Sequence, residues 1–297
     1  MNIALCINRL ALLGLGVTVS SLLDNCSDSN KLHLWFLCSD LKAKDKAHIQ
    51  WLLNAKSFKG KYTFVDFDSF KTFGRYRSLH GDWTPYGRLL LPDIIKTGRV
   101  LYLDADLVVE ADVFTVSEFN FSGSPIAAVE DGTLKTALEK DFFIKKLGLP
   151  PALSTFNSGV IFIDIDEWHK QDIKSQWAAI AEQHGNELLS CDQALLNVIF
   201  AGKFAKLPRS FNCPWYPEKA RPAFGNRMIL HFVGSPKPWD LFGSLIHNGY
   251  PAWQKYLHPE WMRAIGRFSY REFHRTWSIR RSYMRVISNK MQRSAPS

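Results

Sequence analysis

Cysteine is scarce in this 297-residue chain, and what there is lies scattered. Cys6, Cys26, Cys38, Cys191 and Cys213 are odd in number and form no CxxC pair. Neither a zinc site nor a disulfide framework is indicated. The five read as small buried hydrophobes, and a reducing compartment fits best. Long apolar runs are also missing. The N-terminal stretch IALCINRLALLGLGVTVSSLL is largely apolar, but Arg9 interrupts it and no positive side chain precedes it. No clean run of ~20 apolar residues exists, so we expect neither a signal peptide nor a membrane span. Residues 3–7 read instead as a first buried strand and 11–23 as a helix. There is no internal repeat and no low-complexity segment. Acid is nearly absent from the C-terminus: residues 263–297 carry nine Lys and Arg against Glu272 alone, which is +8 of the chain's net +9. The first 262 residues are therefore close to neutral, and the basicity belongs to a tail.

With 46% hydrophobic and 22% charged residues, the rest is ordinary for a globular protein, and its length suffices for one large domain. Apolar β-rich runs at 32–38, 62–67, 99–105, 125–130, 159–165 and 228–234 alternate with helical patterns such as Ile49, Leu52, Leu53. That alternation predicts an α/β fold with a mostly parallel sheet covered by helices on both faces. Thr84-Pro85 reads as an N-cap followed by proline in the first turn of a helix over 85–97, with Pro92 a candidate kink and Gly98 a C-cap. The composition shifts near residue 255. This divides the chain into a domain at 1–255 and a basic, aromatic helical tail at 256–297.

Three Asp-x-Asp pairs occur: Asp66/Asp68, Asp104/Asp106 and Asp164/Asp166. All sit at carboxyl ends of expected strands, where ligands of open α/β sheets collect. Asp164/Asp166 runs into what reads as the first turn of a helix, where acids meet backbone amides favourably. Asp66/Asp68 leads into a polar turn. Only Asp104/Asp106, within VLYLDADLVV, is bracketed by apolar residues on both sides, where capping and solvation explain it least. Two carboxylates suit Mg²⁺ or Mn²⁺, and a nitrogen ligand favours Mn²⁺. His231 is the candidate for that nitrogen; taken alone it reads as a core histidine. Gly234 and Lys237 follow at once in HFVGSPKPW, offering close backbone approach and a point charge for phosphate.

YGRLLLP, VLYLDADLVV, FNSGVIFID, SCDQALLN and HFVGSPKPW, in this order, resemble family 8 retaining glycosyltransferases over roughly residues 1–255. The likeness is greatest to the bacterial lipo-oligosaccharide and lipopolysaccharide galactosyl- and glucosyltransferases, with glycogenin a distant relative. The resemblance implies a GT-A fold and transfer of galactose or glucose from a nucleotide sugar, usually a UDP-sugar, to a saccharide or glycolipid acceptor. It implies Mn²⁺, with Mg²⁺ the alternative, on Asp104, Asp106 and His231. It also implies donor contacts from Asn8, Arg88, Ala105, Asn157, Ser158, Gly234 and Lys237. Asp192 matches a carboxylate on sugar hydroxyls, Gln193 a residue on the β-face of the anomeric carbon, and Asp131 a position in the sugar or acceptor pocket. Simpler readings stand beside these: Arg88 as an exposed helix arginine, 157–159 as a tight turn, and Asp192 as the N-cap before QALLNVIF.

For retention, Gln193 supplies only a weak amide oxygen as nucleophile. Same-face attack guided by the departing diphosphate therefore fits better, with Gln193 stabilising positive charge at the anomeric centre. Two positions depart from the family pattern. The first strand ends in Cys6-Ile7-Asn8-Arg9-Leu10-Ala11, without the acids and tyrosine that hold uracil, leaving Asn8 to pair with the base edge. Ala194 stands where a further acid is common. Polar residues 132–156 read as a loop folding over the donor.

Arg263, Arg267, Arg271 and Arg275 recur every four residues, and Phe273, Trp277, Met284, Ile287 and Met291 follow at three-to-four spacing. This reads as an interfacial helix placing the protein peripherally on an anionic, cytoplasmic membrane face, with a solvated basic tail as the plain alternative. No nucleic-acid recognition fold accompanies the tail, so no nucleic-acid partner is expected. Two other functions compete: a phosphohydrolase of the haloacid-dehalogenase type, whose first motif hhhhDxDxVV also fits, and a degenerate protein that only binds nucleotide sugar or membrane.

Overall fold

The structure is a computed structural model describing residues 1–266 and 270–294. Its strands are β1 (Asn2–Ile7), β2 (His33–Cys38), β3 (Lys61–Asp66), β4 (Arg99–Leu103), β5 (Leu107–Val109), β6 (Ile126–Thr133), β7 (Ser154–Asp164), β8 (Ala205–Lys206), β9 (Cys213–Pro214) and β10 (Ile229–His231). The helices are α1 (Leu12–Asn25), α2 (Ala43–Ala55), α3 (Ser69–Phe73), α4 (Leu91–Ile95), α5 (Ile165–Lys170), α6 (Ile173–His184), α7 (Asp192–Phe200), α8 (Gly243–Ile246), α9 (Tyr250–Lys255), α10 (Pro259–Ile265), α11 (Tyr270–Ser278) and α12 (Arg280–Ser294).

Seven strands form the central sheet in the order β3-β2-β1-β4-β7-β6-β8. All of its pairings are parallel except those of β7, which runs antiparallel to β4 and β6. The expected α/β architecture is therefore observed. Its cause is visible in β1, where residues 3–7 are all buried. Ile3, Leu5 and Ile7 pack with Leu15, Leu22, Ile49 and Leu52 on one face of the sheet. Ala4 and Cys6 pack with Tyr86, Leu89 and Leu195 on the other. Burial on both faces is why the strand reads as an unbroken apolar run. A second sheet, β5-β10-β9, lies beside the end of β4 and positions the candidate site.

Three local expectations are corrected. Residues 84–90 form a 3-10 helix before the short α4, and Thr84 is not a cap. Its amide donates to Asp82 Oδ1 at 2.8 Å, and its hydroxyl accepts from Asn8. Pro92 sits in the first turn of α4, where its missing amide hydrogen costs nothing, so it opens that helix and kinks none. Residues 132–156 are packed down: Leu134 and Phe143 are buried, and Glu139 accepts from both the amide and the hydroxyl of Ser190 at 2.5 Å.

The boundary expected after residue 255 falls inside the folded body. Trp261 on α10 is fully buried, and its indole donates to the Leu12 carbonyl at 3.1 Å. It lies so close to α1 that a β-carbon at Gly16 would sit 2.2 Å from Nε1. The single arginine-striped helix is not observed either. Gly266 ends α10 and thereby separates Arg263 from Arg275 on α11. Arg267, and the side chains of Arg271 and Arg293, lie outside the described residues. Among the described residues no helix is long and apolar enough to cross a membrane.

Candidate active site

β4 ends at Leu103, and the chain turns through Asp104, Ala105 and Asp106 into β5. Two backbone bonds hold the turn: Asp104 N to Gly159 O at 2.8 Å and Phe232 N to Asp106 O at 3.1 Å. Ala105 contributes its carbonyl to the floor against α1, where a β-carbon at Gly14 would lie 2.3 Å from it. β5 pairs antiparallel with β10 in a register that sets Leu107 opposite His231. A residue remote in sequence thereby comes to stand beside Asp106.

Ligand atoms of Asp104, Asp106 and His231 all lie within 4.8 Å of one another. His231 Nε2 is 3.3 Å from Asp106 Oδ1 and 4.0 Å from Asp104 Oδ2. Gly159 makes room for this: a β-carbon there would be 2.3 Å from His231 Cε1 and 2.9 Å from Asp104 Oδ2. The proton on the imidazole can be assigned from its neighbours. The Gly159 amide donates to Asn157 Oδ1 at 2.9 Å, and that oxygen also accepts from Asn212 Nδ2 at 3.1 Å. Asn212 therefore turns its oxygen toward His231 Nδ1, 3.0 Å away, so Nδ1 carries the hydrogen. In the neutral ring Nε2 is left as a bare lone pair facing Asp106 Oδ1, which is itself buried with no hydrogen-bond donor. Two lone pairs at this distance repel unless a cation sits between them. The donor set, two carboxylates and an imidazole, fits a divalent ion of the Mg²⁺–Mn²⁺ type.

The flanking charges are organised around this cluster. Lys237 Nζ bonds Asp106 Oδ2 at 2.7 Å and also donates to the Phe232 carbonyl. Burial alone would raise the Asp106 carboxyl, but the Lys237 ammonium and the His231 ring together outweigh it and hold the group well below the usual range. Gly234 has φ +74°, which glycine alone adopts freely, so it turns the chain between His231 and Lys237. The amides of Val233, Gly234 and Ser235 have no protein acceptor among the described residues.

Arg88 is not the exposed helix arginine of the plain reading. It is 4% exposed and lies over the Tyr102 ring at 4.2 Å. Nη2 bonds Asp104 Oδ1 at 3.0 Å, Nε lies 3.0 Å from Asp192 Oδ2, and Nη1 donates to the Ser158 carbonyl. It thus holds the buried Asp192 and the half-buried Asp104 in place. Asp104 Oδ1 also accepts from Tyr102 at 2.6 Å, and burial raises that phenol well above its usual range, keeping it a donor.

Asn157 and Ser158 do not present free groups to a ligand. Asn157 Nδ2 and the Ser158 amide both donate to Gln193 Oε1, at 3.0 and 3.1 Å, and the Ser158 hydroxyl donates to Asp192 at 3.1 Å. A backbone amide only donates, so the Gln193 oxygen must face this turn with both lone pairs occupied. In this orientation its Nε2, unbonded among the described residues, is the free end. Asp192 is the first residue of α7 and not its cap. Its buried carboxyl is pushed up by burial, with Arg88 opposing. Cys191 before it has φ 53°, ψ −118°, a strained conformation for a residue with a β-carbon.

Two sequence-derived candidates stand outside this cluster. Asn8 is spent internally: its oxygen caps the 3-10 turn at Leu10 and Ala11, and its amide donates to Asp82 at 2.7 Å and Thr84 at 3.1 Å. Pairing with a base edge is corrected accordingly. Asp131 is exposed near the end of β6, and no bond joins it to the carboxylate cluster. Asn212 and Tyr102 were missed by sequence reasoning. Tyr102 lies two residues before Asp104, a spacing that points to the same side of an extended chain; nothing in its own neighbourhood marks Asn212.

Comparison with known proteins identifies the family. The glycosyl transferase family 8 model matches residues 2–242. The chain is 26% identical over 270 residues to the lipopolysaccharide 1,3-galactosyltransferase of Salmonella typhimurium, covering 86% of this chain and 76% of that protein. It is 25% identical over 244 residues to general stress protein A of Bacillus subtilis, covering 76% and 82% respectively. A crystal structure of galactosyltransferase LgtC in complex with donor and acceptor sugar analogs has the same fold. Its TM-score is 0.72 at 21% identity, covering 89% of this chain and 100% of that one, in keeping with the GT-A architecture. The chain is a glycosyltransferase with a nucleotide-sugar donor and a saccharide acceptor, and it belongs to glycosyl transferase family 8.

Proposed function

We propose that this enzyme moves galactose or glucose from a UDP-sugar to a saccharide or glycolipid acceptor of lipopolysaccharide or related surface-glycan synthesis, with retention at the anomeric carbon. The observation that carries the reading is the buried, donorless Asp106 Oδ1 facing Nε2 of His231. Asp104, Asp106 and His231 would hold Mn²⁺, or Mg²⁺ in its place. When bound, such an ion would supply Lewis acidity to the diphosphate as that leaving group gains charge. Lys237 and the amides beside Gly234 add fixed positive potential for the same oxygens. Asp192, kept in place by Arg88 and Ser158, accepts from sugar hydroxyls, and the Gln193 amide nitrogen donates to one. Asp131 borders the acceptor pocket.

The occupied oxygen of Gln193 argues against a covalent glycosyl intermediate at that residue. The anomeric C–O bond to phosphate breaks with its electron pair leaving on the diphosphate. The acceptor oxygen then bonds the same face of the sugar and passes its proton to a diphosphate oxygen.

In a thermal-shift panel of nucleotide sugars with Mn²⁺, UDP-galactose or UDP-glucose should raise Tm by several degrees. The gain should vanish with EDTA. A shift with no nucleotide sugar, or one indifferent to EDTA, would refute the reading.

The catalytic body and the tail divide the remaining work. Phe273, Trp277, Met284, Ile287 and Met291 are 45–69% exposed, beside exposed Arg280, Arg281 and Arg285. This supports peripheral attachment to an anionic membrane on its cytoplasmic face, where a lipid-linked acceptor lies. Replacing Phe273 and Trp277 by Ser should weaken binding to phosphatidylglycerol vesicles at least tenfold, since each buried ring contributes about 1.5–3 kcal/mol. Unchanged sedimentation with the vesicles would rule this attachment out.

A further inference from the structure

We infer that Arg275, on the C-terminal helix α11, is a positioning residue for the donor site and acts through Asp240 on Lys237. The inference rests on the reading of Lys237 as a diphosphate contact. The segment from Phe232 to Leu241 joins β10 to α8 and has no regular structure of its own. What shapes it is Asp240. Its side chain is 4% exposed, and Oδ2 accepts from the Lys237 amide at 2.7 Å, while the Asp240 amide returns a bond to the Lys237 carbonyl at 3.1 Å. This reciprocal turn aims the Lys237 ammonium at Asp106.

A carboxylate buried so deeply needs a cation, and Lys237 cannot be that cation, because its ammonium is committed to Asp106 and the Phe232 carbonyl. Arg275 supplies the charge from the tail through two parallel bonds, Nε to Oδ1 at 2.6 Å and Nη2 to Oδ2 at 3.1 Å. Such a fork fixes orientation as well as charge. The next helix reinforces it. Tyr283 on α12 donates its hydroxyl to the Leu241 carbonyl, and among the described residues of that helix Tyr283 and Val286 are buried. The tail therefore has two faces. Met284, Ile287 and Met291 look outward, while Arg275 and Tyr283 hold the segment that carries Lys237. Without Arg275, Asp240 relaxes toward water and the Lys237 turn loses its preorganisation, so each bound diphosphate must order it anew.

The test is calorimetric titration of Mn²⁺-loaded full-length protein with UDP, for wild type, Arg275→Gln, Lys237→Met and the double variant. Arg275→Gln should weaken UDP about tenfold with Tm within a few degrees of wild type. It should cause no further loss in the Lys237→Met background, because both changes remove the same contact. Arg275→Lys, which keeps the charge but not the fork, should fall between wild type and Arg275→Gln. Unchanged UDP affinity in Arg275→Gln, or an equal loss with and without Lys237, would overturn the inference. If Lys237→Met itself bound UDP like wild type, the underlying reading of Lys237 would fail instead.

Discussion

Asp106→Asn is expected to lower kcat/KM by at least ~1,000-fold, which corresponds to about 4 kcal/mol of transition-state stabilisation. The fold should not suffer, and the geometry says why. In the absence of an ion, Asp106 Oδ1 is buried without a donor, 3.3 Å from the bare Nε2 of His231. An asparagine in the same rotamer keeps its oxygen on the Lys237 ammonium and turns its NH2 toward Nε2, replacing a repulsion with a hydrogen bond. The variant also forfeits the charge pairing with Lys237 that holds the Asp106 carboxyl low, so the two effects offset and it should melt within a few degrees of the wild-type temperature while losing the ion and the reaction. Chelation of the wild-type enzyme should reproduce the loss, and added Mn²⁺ should reverse it. Near-normal turnover in Asp106→Asn, or a fall in Tm of many degrees, would contradict this account of the cluster.

Replacing Arg88 acts in the opposite way, on the fold as much as on the chemistry. Arg88→Met keeps the volume of the side chain but leaves the buried Asp192 and the half-buried Asp104 without their shared cation. Breaking a buried pair of this kind costs about 3–5 kcal/mol, and here one cation serves two acids. The deficit should shrink as pH falls. Burial already raises the Asp192 carboxyl, and loss of Arg88 removes what opposes that rise. An acid whose folded pKa lies above its unfolded value penalises folding in full above the folded pKa; the penalty shrinks as pH falls through that value and is gone below the unfolded one. Urea denaturation at pH 7 and pH 5 reads this directly, with the gap between wild type and variant expected to be smaller at pH 5. Arg88→Lys should recover only part of the stability, since a point charge cannot make Arg88's bonds to Asp104 and the Pro85 and Ser158 carbonyls while also pairing with Asp192.

How much of this was legible in the chain differs from residue to residue. The strands and the Asp104/Asp106 turn were readable, because burial on both faces produces unbroken apolar runs and an acidic pair inside one stands out. His231 was readable because glycine and lysine follow it. What the chain could not disclose were partners brought in by tertiary pairing. Asn8 looked free to read a base until Asp82 and Thr84 occupied its amide. Asn157 and Ser158 looked like ligand-gripping groups, yet their hydrogen bonds are spent on orienting Gln193 and Asp192. Asn212 carries no pattern of its own, and it matters only because folding sets it between Asn157 and His231. In the tail, four-residue spacing of arginines suggested one long stripe. Gly266 breaks it, and Arg275 faces a buried acid instead of lying on that stripe.

Asp104, Asp106 and His231 are expected to hold a divalent cation through Asp104 Oδ2, Asp106 Oδ1 and His231 Nε2. The most direct test is an anomalous difference map at the manganese edge from crystals grown with Mn²⁺ and UDP. A single strong peak touching those three atoms, with His231 Nδ1 still on Asn212, is the result expected. A map with no peak there, or with manganese bound elsewhere while UDP occupies the site, would contradict it.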